Sequence, residues 1–182
     1  IILVKKKYFK AILLIDLLDS ELLNNPNLNA SINIKIDKID KFEYLQDFVS
    51  KIHLGDGRIL IKSFNTQWNN SVSIKSNEIE FLNDIDGKKL VGEIIFNFDD
   101  IEKFFRYFQI KRNYRDVFET IKLDFVYDLT LDKLIINNLR IDDKSLKKID
   151  KFLNQYNKSE INSFNKVTIR NFIKEFFIVY AG

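Results

Sequence analysis

Between Leu28 and Ile36 every second residue is apolar: Leu28, Ala30, Ile32, Ile34 and Ile36 alternate with Asn29, Ser31, Asn33 and Lys35. Strand side chains point to opposite faces in turn, so a period of two buries one face and wets the other. A helix would scatter the same residues around its circumference. The run therefore predicts a half-buried β-strand, and such a strand needs neighbours patterned in the same way.

Those neighbours are present. Leu90, Ile94, Phe96 and Phe98 share one parity with Gly92 between them, and Ile121, Leu123, Phe125, Tyr127 and Leu129 share another, opposite Lys122, Asp124, Val126 and Asp128. Between these two runs Ile101, Phe104, Phe105 and Phe108 recur at i, i+3, i+4 and i+7, the stripe of an amphipathic helix. Asp99-Asp100 stands where that helix begins and supplies carboxylates for its first-turn amides. The unit reads as strand, helix, basic-aromatic turn and strand, with one greasy sheet face and one wet face.

Elsewhere the chain reads as a meander of hairpins. A helical turn is expected over 41–48 and strands over 48–54, 58–65 and 72–82, the last with a bulge where its apolar phase changes between Ile74 and Ile79. Gly55-Asp56-Gly57 predicts a hairpin turn, because its glycines accept positive φ. Gln67 to Asn70 reads as a connection, anchored by Trp68, and Asn83 to Gly87 as a turn. A strand over 133–141 follows, then Asp142-Asp143 as the cap of a second helix with Leu146, Ile149, Phe152, Leu153 and Tyr156 on one side. A polar linker over 157–163 precedes a terminal helix over 166–180, with Phe172, Ile173, Phe176 and Phe177 inward. Residues 12–18 fit a buried strand or a short helix equally. The expected class is α+β and β-rich: an antiparallel meander with helices near 99–110, 143–156 and 166–180.

Composition excludes more than it suggests. The 182 residues form one domain or a slice of a larger one, and 46% apolar residues suffice for a core. A net charge of +3 from 29 basic and 26 acidic residues does not by itself call for a nucleic-acid partner. With no Cys there are no disulfides or thiolate metal sites, and the single histidine, His53, cannot build a multi-histidine zinc site. There is no Met even at position 1, so the chain is expected to start inside a longer reading frame. The longest apolar run, Tyr8 to Leu18, is about half the roughly 20 residues of a membrane span and contains Lys10 and Asp16.

Candidate chemistry is sparse. Leu82 to Glu93 places Asp84, Asp86, Gly87 and Glu93 at calcium-loop spacing, but Leu82 stands where the first carboxylate must be, so a hairpin turn is expected. Arg106, Lys111, Arg112 and Arg115 interleave with Tyr107, Phe108 and Tyr114. That cluster favours ion pairing with Asp99, Asp100 and Asp116, then contact with anionic lipid headgroups, and only then nucleic acid. No constellation points to catalysis, a metal or a cofactor. A basic-aromatic turn on a closed core describes an interaction module with an anionic partner.

Leu14-Ile15-Asp16-Leu17, Asn25-Pro26-Asn27-Leu28, Gly57-Arg58-Ile59, Trp68-Asn69, Phe108-Gln109, Arg112-Asn113-Tyr114-Arg115 and Tyr180-Ala181-Gly182 occur in this order. Together they resemble the C-terminal region of AsmA-like envelope proteins of alphaproteobacteria, over about residues 14–182. The resemblance implies that the antiparallel meander is curved into a trough-like sheet, and that the chain is a single C-terminal region of a longer periplasmic protein, held to the inner membrane by an N-terminal helix outside these residues. It implies a non-enzymatic role in moving phospholipid toward the outer membrane and in outer-membrane assembly, without nucleic acid or cofactor. The apolar positions Ile32, Ile34, Ile36, Ile94, Phe96, Phe98, Leu123 and Phe125 would then face lipid, and Arg106, Lys111, Arg112 and Arg115 would meet headgroups or a partner.

Overall fold

The computed structural model describes residues 2–3, 20–38, 44–84, 87–159 and 165–182. The expectations over 12–18 and 160–163, the tip of the turn at 85–86 and the first residues of the helical turn at 41–43 lie outside them. Nine strands among the described residues form one sheet: β1 (Ile2–Leu3), β2 (Asn29–Lys38), β3 (Leu45–Gly55), β4 (Arg58–Trp68), β5 (Val72–Ser76), β6 (Ile79–Asp84), β7 (Gly87–Phe98), β8 (Thr120–Asp128) and β9 (Lys133–Ile141). Among the described residues three α-helices accompany it: α1 (Ile101–Phe108), α2 (Lys147–Lys158) and α3 (Lys166–Ala181). The fold is β-rich α+β, and every pairing is antiparallel except that of β1 with β2.

The hairpin turns follow from residues that tolerate the left-handed region. Asp56 and Gly57 take φ of 54° and 72° between β3 and β4, and Asn69 and Asn70 both take 49° between β4 and β5. Paired positive φ values match the right-handed twist of the flanking strands, and Asn, Asp and Gly adopt them at least cost.

Four local expectations are corrected. Leu45 to Phe48 are strand, not helix: Phe48 pairs with Ile36, and a bulge with Asp47 at φ 53° absorbs the irregular phase. Trp68 ends β4 rather than sitting in a connection. The run 72–82 is two strands, not one bulged strand. Both β5 and β6 lie between β4 and β7, and they part at Asn77 and Glu78. Asp142 and Asp143 do not cap α2, which starts at Lys147 without a side-chain cap. Both residues have positive φ in a tight turn closed by reciprocal hydrogen bonds between Ile141 and Lys144. The Asp142 carboxylate accepts the amides of Glu119 (3.0 Å) and Thr120 (2.9 Å) instead.

The other two helices carry side-chain caps, the first at a residue the sequence indicates. Asp100 accepts the Lys103 amide at 3.1 Å and starts α1. Asn165 accepts the amides of Val167 and Thr168, and Thr168 returns a bond to the Asn165 amide, which fixes the start of α3. The stripes of the helices then close on the C-terminal strands. Phe105, Phe118, Ile136, Leu139, Ile149, Leu153, Phe176 and Phe177 form a buried core there. A second core, of Leu23, Ile34, Ile52, Leu54, Ile59 and Phe81, lies on the N-terminal strands.

Candidate functional site

Directly paired residues on neighbouring strands share a face. The register therefore traces a single row across the sheet: Ile32, Ile52, Ile61, Ile79, Gly92, Phe125 and Ile136. A second row runs Thr66, Ile74, Phe96, Ile121 and Ile141. The apolar face is continuous from β2 to β9. Gly92 makes this continuity possible at the break between β5 and β6. A Cβ there would lie 2.7 Å from Ile79 Cγ1 and 2.8 Å from the Glu78 carbonyl oxygen.

All eight residues expected to face lipid lie on this surface, in three settings. Ile34 is buried in the N-terminal core, with Ile32 and Ile36 packed against it. Phe98 and Leu123 pack against the helix-covered core, and Phe125 is also buried. Ile94 and Phe96 belong to neither core and are half-buried, as are their face neighbours Phe64 and Ile74. A half-open apolar strip thus separates the two cores. None of these four side chains carries a hydrogen-bonding group, so the strip can hold only an apolar occupant by direct contact.

The opposite face is less uniformly wet than expected, because Val91, Ile95, Val126 and Ile135 sit half-buried within it. Its polar part is internally neutralised. Arg140 contacts Glu93 at 2.6 Å and Asp124 at 3.7 Å, and Asn138 donates to Asp124 at 3.0 Å. Lys122 reaches Asp143 at 2.6 Å, which holds the Asp143 carboxyl below the usual carboxylate range. On the same face a shallow cavity of about 660 Å³ is lined by Ser31, Lys51, His53, Asp56, Arg58 and Lys62, among others. Ser31, His53 and Asp56 are the residue types of a hydrolytic triad, yet no hydrogen bond joins them. Arg58 and Lys62 are already matched by Glu80 (3.8 Å) and Glu78 (2.9 Å). His53 sits on β3 near its hairpin end, as the sequence indicates.

The basic-aromatic turn divides into two parts. Arg115 is tied into the fold: Nη1 donates to Glu102 at 3.0 Å, Nε donates to the Ile110 carbonyl at 3.0 Å, and the guanidinium lies 5.8 Å from the Phe105 ring centre. Its partner is Glu102, not Asp99, Asp100 or Asp116. Arg106, Lys111 and Arg112 are exposed and make no ion pair among the described residues. Beside them lies an aromatic cluster that local sequence does not reveal. Trp68 meets Tyr107 at 5.0 Å, Phe104 at 5.5 Å and Phe108 at 6.0 Å, and Tyr44 meets Tyr107 at 4.9 Å. Its members come from the residue before β3, the end of β4 and α1, so only the register and helix docking bring them together.

Comparison of the chain with known protein families, with curated proteins and with solved structures finds no match. Among the described residues no helix is long and apolar enough to cross a membrane. Nor does any group of three His, Cys, Asp or Glu there have the arrangement of a metal site.

Proposed function

We propose that this chain handles lipid: the apolar face of the sheet is a wall along which an acyl chain lies, as the resemblance to AsmA-like envelope proteins implies. The carrying observation is the half-buried strip of Phe64, Ile74, Ile94 and Phe96 between two closed cores. Each CH₂ that such a surface shields from water contributes about 0.8 kcal/mol, so a contact of a few carbons is already significant. In this reading the protein has no catalytic step. It stands in the periplasm, tethered to the inner membrane by a segment outside these residues, and supports phospholipid passage to the outer membrane. Phospholipid should co-purify with the chain from a Gram-negative host in stoichiometric amount and be lost from the double variant Ile94→Ser/Phe96→Ser. Lipid-free protein, or lipid retained equally by a folded double variant, would contradict the reading.

The helices favour a second reading. They close the C-terminal half of the apolar face into an ordinary core and leave Lys111 and Arg112 exposed, which is how an interaction module for an anionic partner would be built.

A further inference from the structure

We infer that the surface built by α1, the turn after it and the aromatic edge of the sheet docks on an anionic bilayer surface. Residues 101–115 carry five cations, Lys103, Arg106, Lys111, Arg112 and Arg115, against one carboxylate, Glu102. That carboxylate is taken by Arg115 at 3.0 Å, and Lys103 is taken by Asp100 at 3.5 Å. Of the remaining three cations, Arg106 has Asp100 as an electrostatic neighbour, and all three, Arg106, Lys111 and Arg112, are exposed and form no ion pair among the described residues. Their charge therefore projects into solvent.

The rings beside them give that charge a specific destination. Tyr44 is 45% exposed, and Tyr107 and Trp68 are half-buried in the cluster it edges. Tyr and Trp pair an apolar body with a polar tip, which suits the boundary between headgroups and acyl chains. A soluble anion would be bound by the three cations alone and would leave the rings idle. A bilayer interface uses both, with cations on phosphates and rings at the headgroup level. Trp68 and Phe98 both pair with Val72, so this edge is continuous with the apolar face. The docking does not depend on whether that face carries lipid.

Trp68 is the only tryptophan and reports directly on the contact. The intact chain is titrated with vesicles of phosphatidylcholine alone and of phosphatidylcholine with phosphatidylglycerol, with and without bromine near the carbonyl end of the acyl chains. The expected result is sedimentation with the anionic vesicles only, a blue shift of Trp68 emission, and quenching by the brominated lipid. The triple variant Arg106→Glu/Lys111→Glu/Arg112→Glu alters exposed side chains only. It should partition at least roughly a hundredfold more weakly, since each surface cation contributes about a fivefold factor. The variant Tyr44→Ser should keep the charge dependence and lose part of the blue shift. Failure to bind anionic vesicles, binding unaffected by the triple variant, binding without quenching of Trp68, or tighter binding to a single-stranded oligonucleotide than to vesicles would each overturn the inference. Vesicle binding with no co-purified phospholipid would retain the docking surface and remove the acyl-chain wall.

Discussion

The side-chain amide of Asn157, on α2, closes on both backbone groups of Ile136, in the edge strand β9. Asn157 Oδ1 accepts the Ile136 amide at 3.0 Å, and Nδ2 donates to the Ile136 carbonyl at 2.8 Å. The pair reproduces the two bonds that another strand would make there. Farther along the same edge, Ile141 exchanges backbone bonds with Lys144. An edge strand with free amides and carbonyls is a template for pairing with another chain, and here two of its outward positions are already occupied.

Replacing Asn157 by Ala should therefore act in two ways. Ile136 is 1% exposed, so its stranded amide and carbonyl should cost about 1–3 kcal/mol each, read as a lower urea midpoint. The freed edge should also give concentration-dependent association in sedimentation velocity. A variant of unchanged stability that stays monomeric would show that water replaces the amide without loss.

Gly92→Ala tests the crossing point of the two half-strands. The new methyl would meet Ile79 Cγ1, which can shift, and the Glu78 carbonyl, which lies at the break between β5 and β6. Such overpacking costs about 1–3 kcal/mol. Thermal unfolding against the parent chain measures it, and an unchanged midpoint would mean that residues 77 and 78 yield freely.

Phe105 is fully buried and meets the Phe177 ring at 5.1 Å, which joins α1 to α3. Phe105→Ala should cost about 3–5 kcal/mol. Val117 and Leu131 are apolar yet 75% and 70% exposed, and truncating either should change stability by less than about 0.5 kcal/mol. Equal losses at all three positions would contradict the placement of the core.

Two titrations have opposite signs. Lys122 lowers the Asp143 pKa in the folded chain below the ordinary 3.8, so the stabilisation is present above 3.8 and is lost as the pH falls through the folded value. Burial, with the 2.6 Å bond to Asp132, pushes the Tyr127 hydroxyl from 10.0 up to about 12. The folded chain then holds a proton that the unfolded chain releases, so stability should fall as the pH rises from about 10 to about 12. Tyr127→Phe should flatten that alkaline decline while leaving the acid limb intact. Lys122→Ala should do the reverse. Melting midpoints across both windows check the pair, and a Tyr127→Phe profile parallel to the parent would contradict the assignment.

The sheet was legible because the runs 28–36, 90–98 and 121–129 keep one apolar face at period two. The bounds of β9 are those read from Lys133 to Ile141, and the stripe of α1 with its Asp100 cap is where the spacing puts it. The same reasoning failed at Asp142-Asp143, because an aspartate before an apolar period serves a cap or a left-handed turn equally well. Register decided for the turn, with the Glu119 and Thr120 amides within reach of Asp142. The split of 72–82 showed as a phase change, but only the close approach of Gly92 reveals why the strand parts there. The aromatic cluster around Trp68 was illegible because residues 44, 68 and 107 meet through strand register and helix docking, which local patterning does not encode.

Phe96 and Ile95 are adjacent on β7, pair with Ile74 and Lys75 of β5, and face opposite sides of the sheet. A photo-crosslinking residue placed at each position in turn, in cells of a Gram-negative host, tests the proposed lipid-handling role most directly. Phospholipid adducts are expected at 96 and none at 95. Adducts at neither position, or equally at both, would contradict that role and leave the sheet as the core of an interaction module.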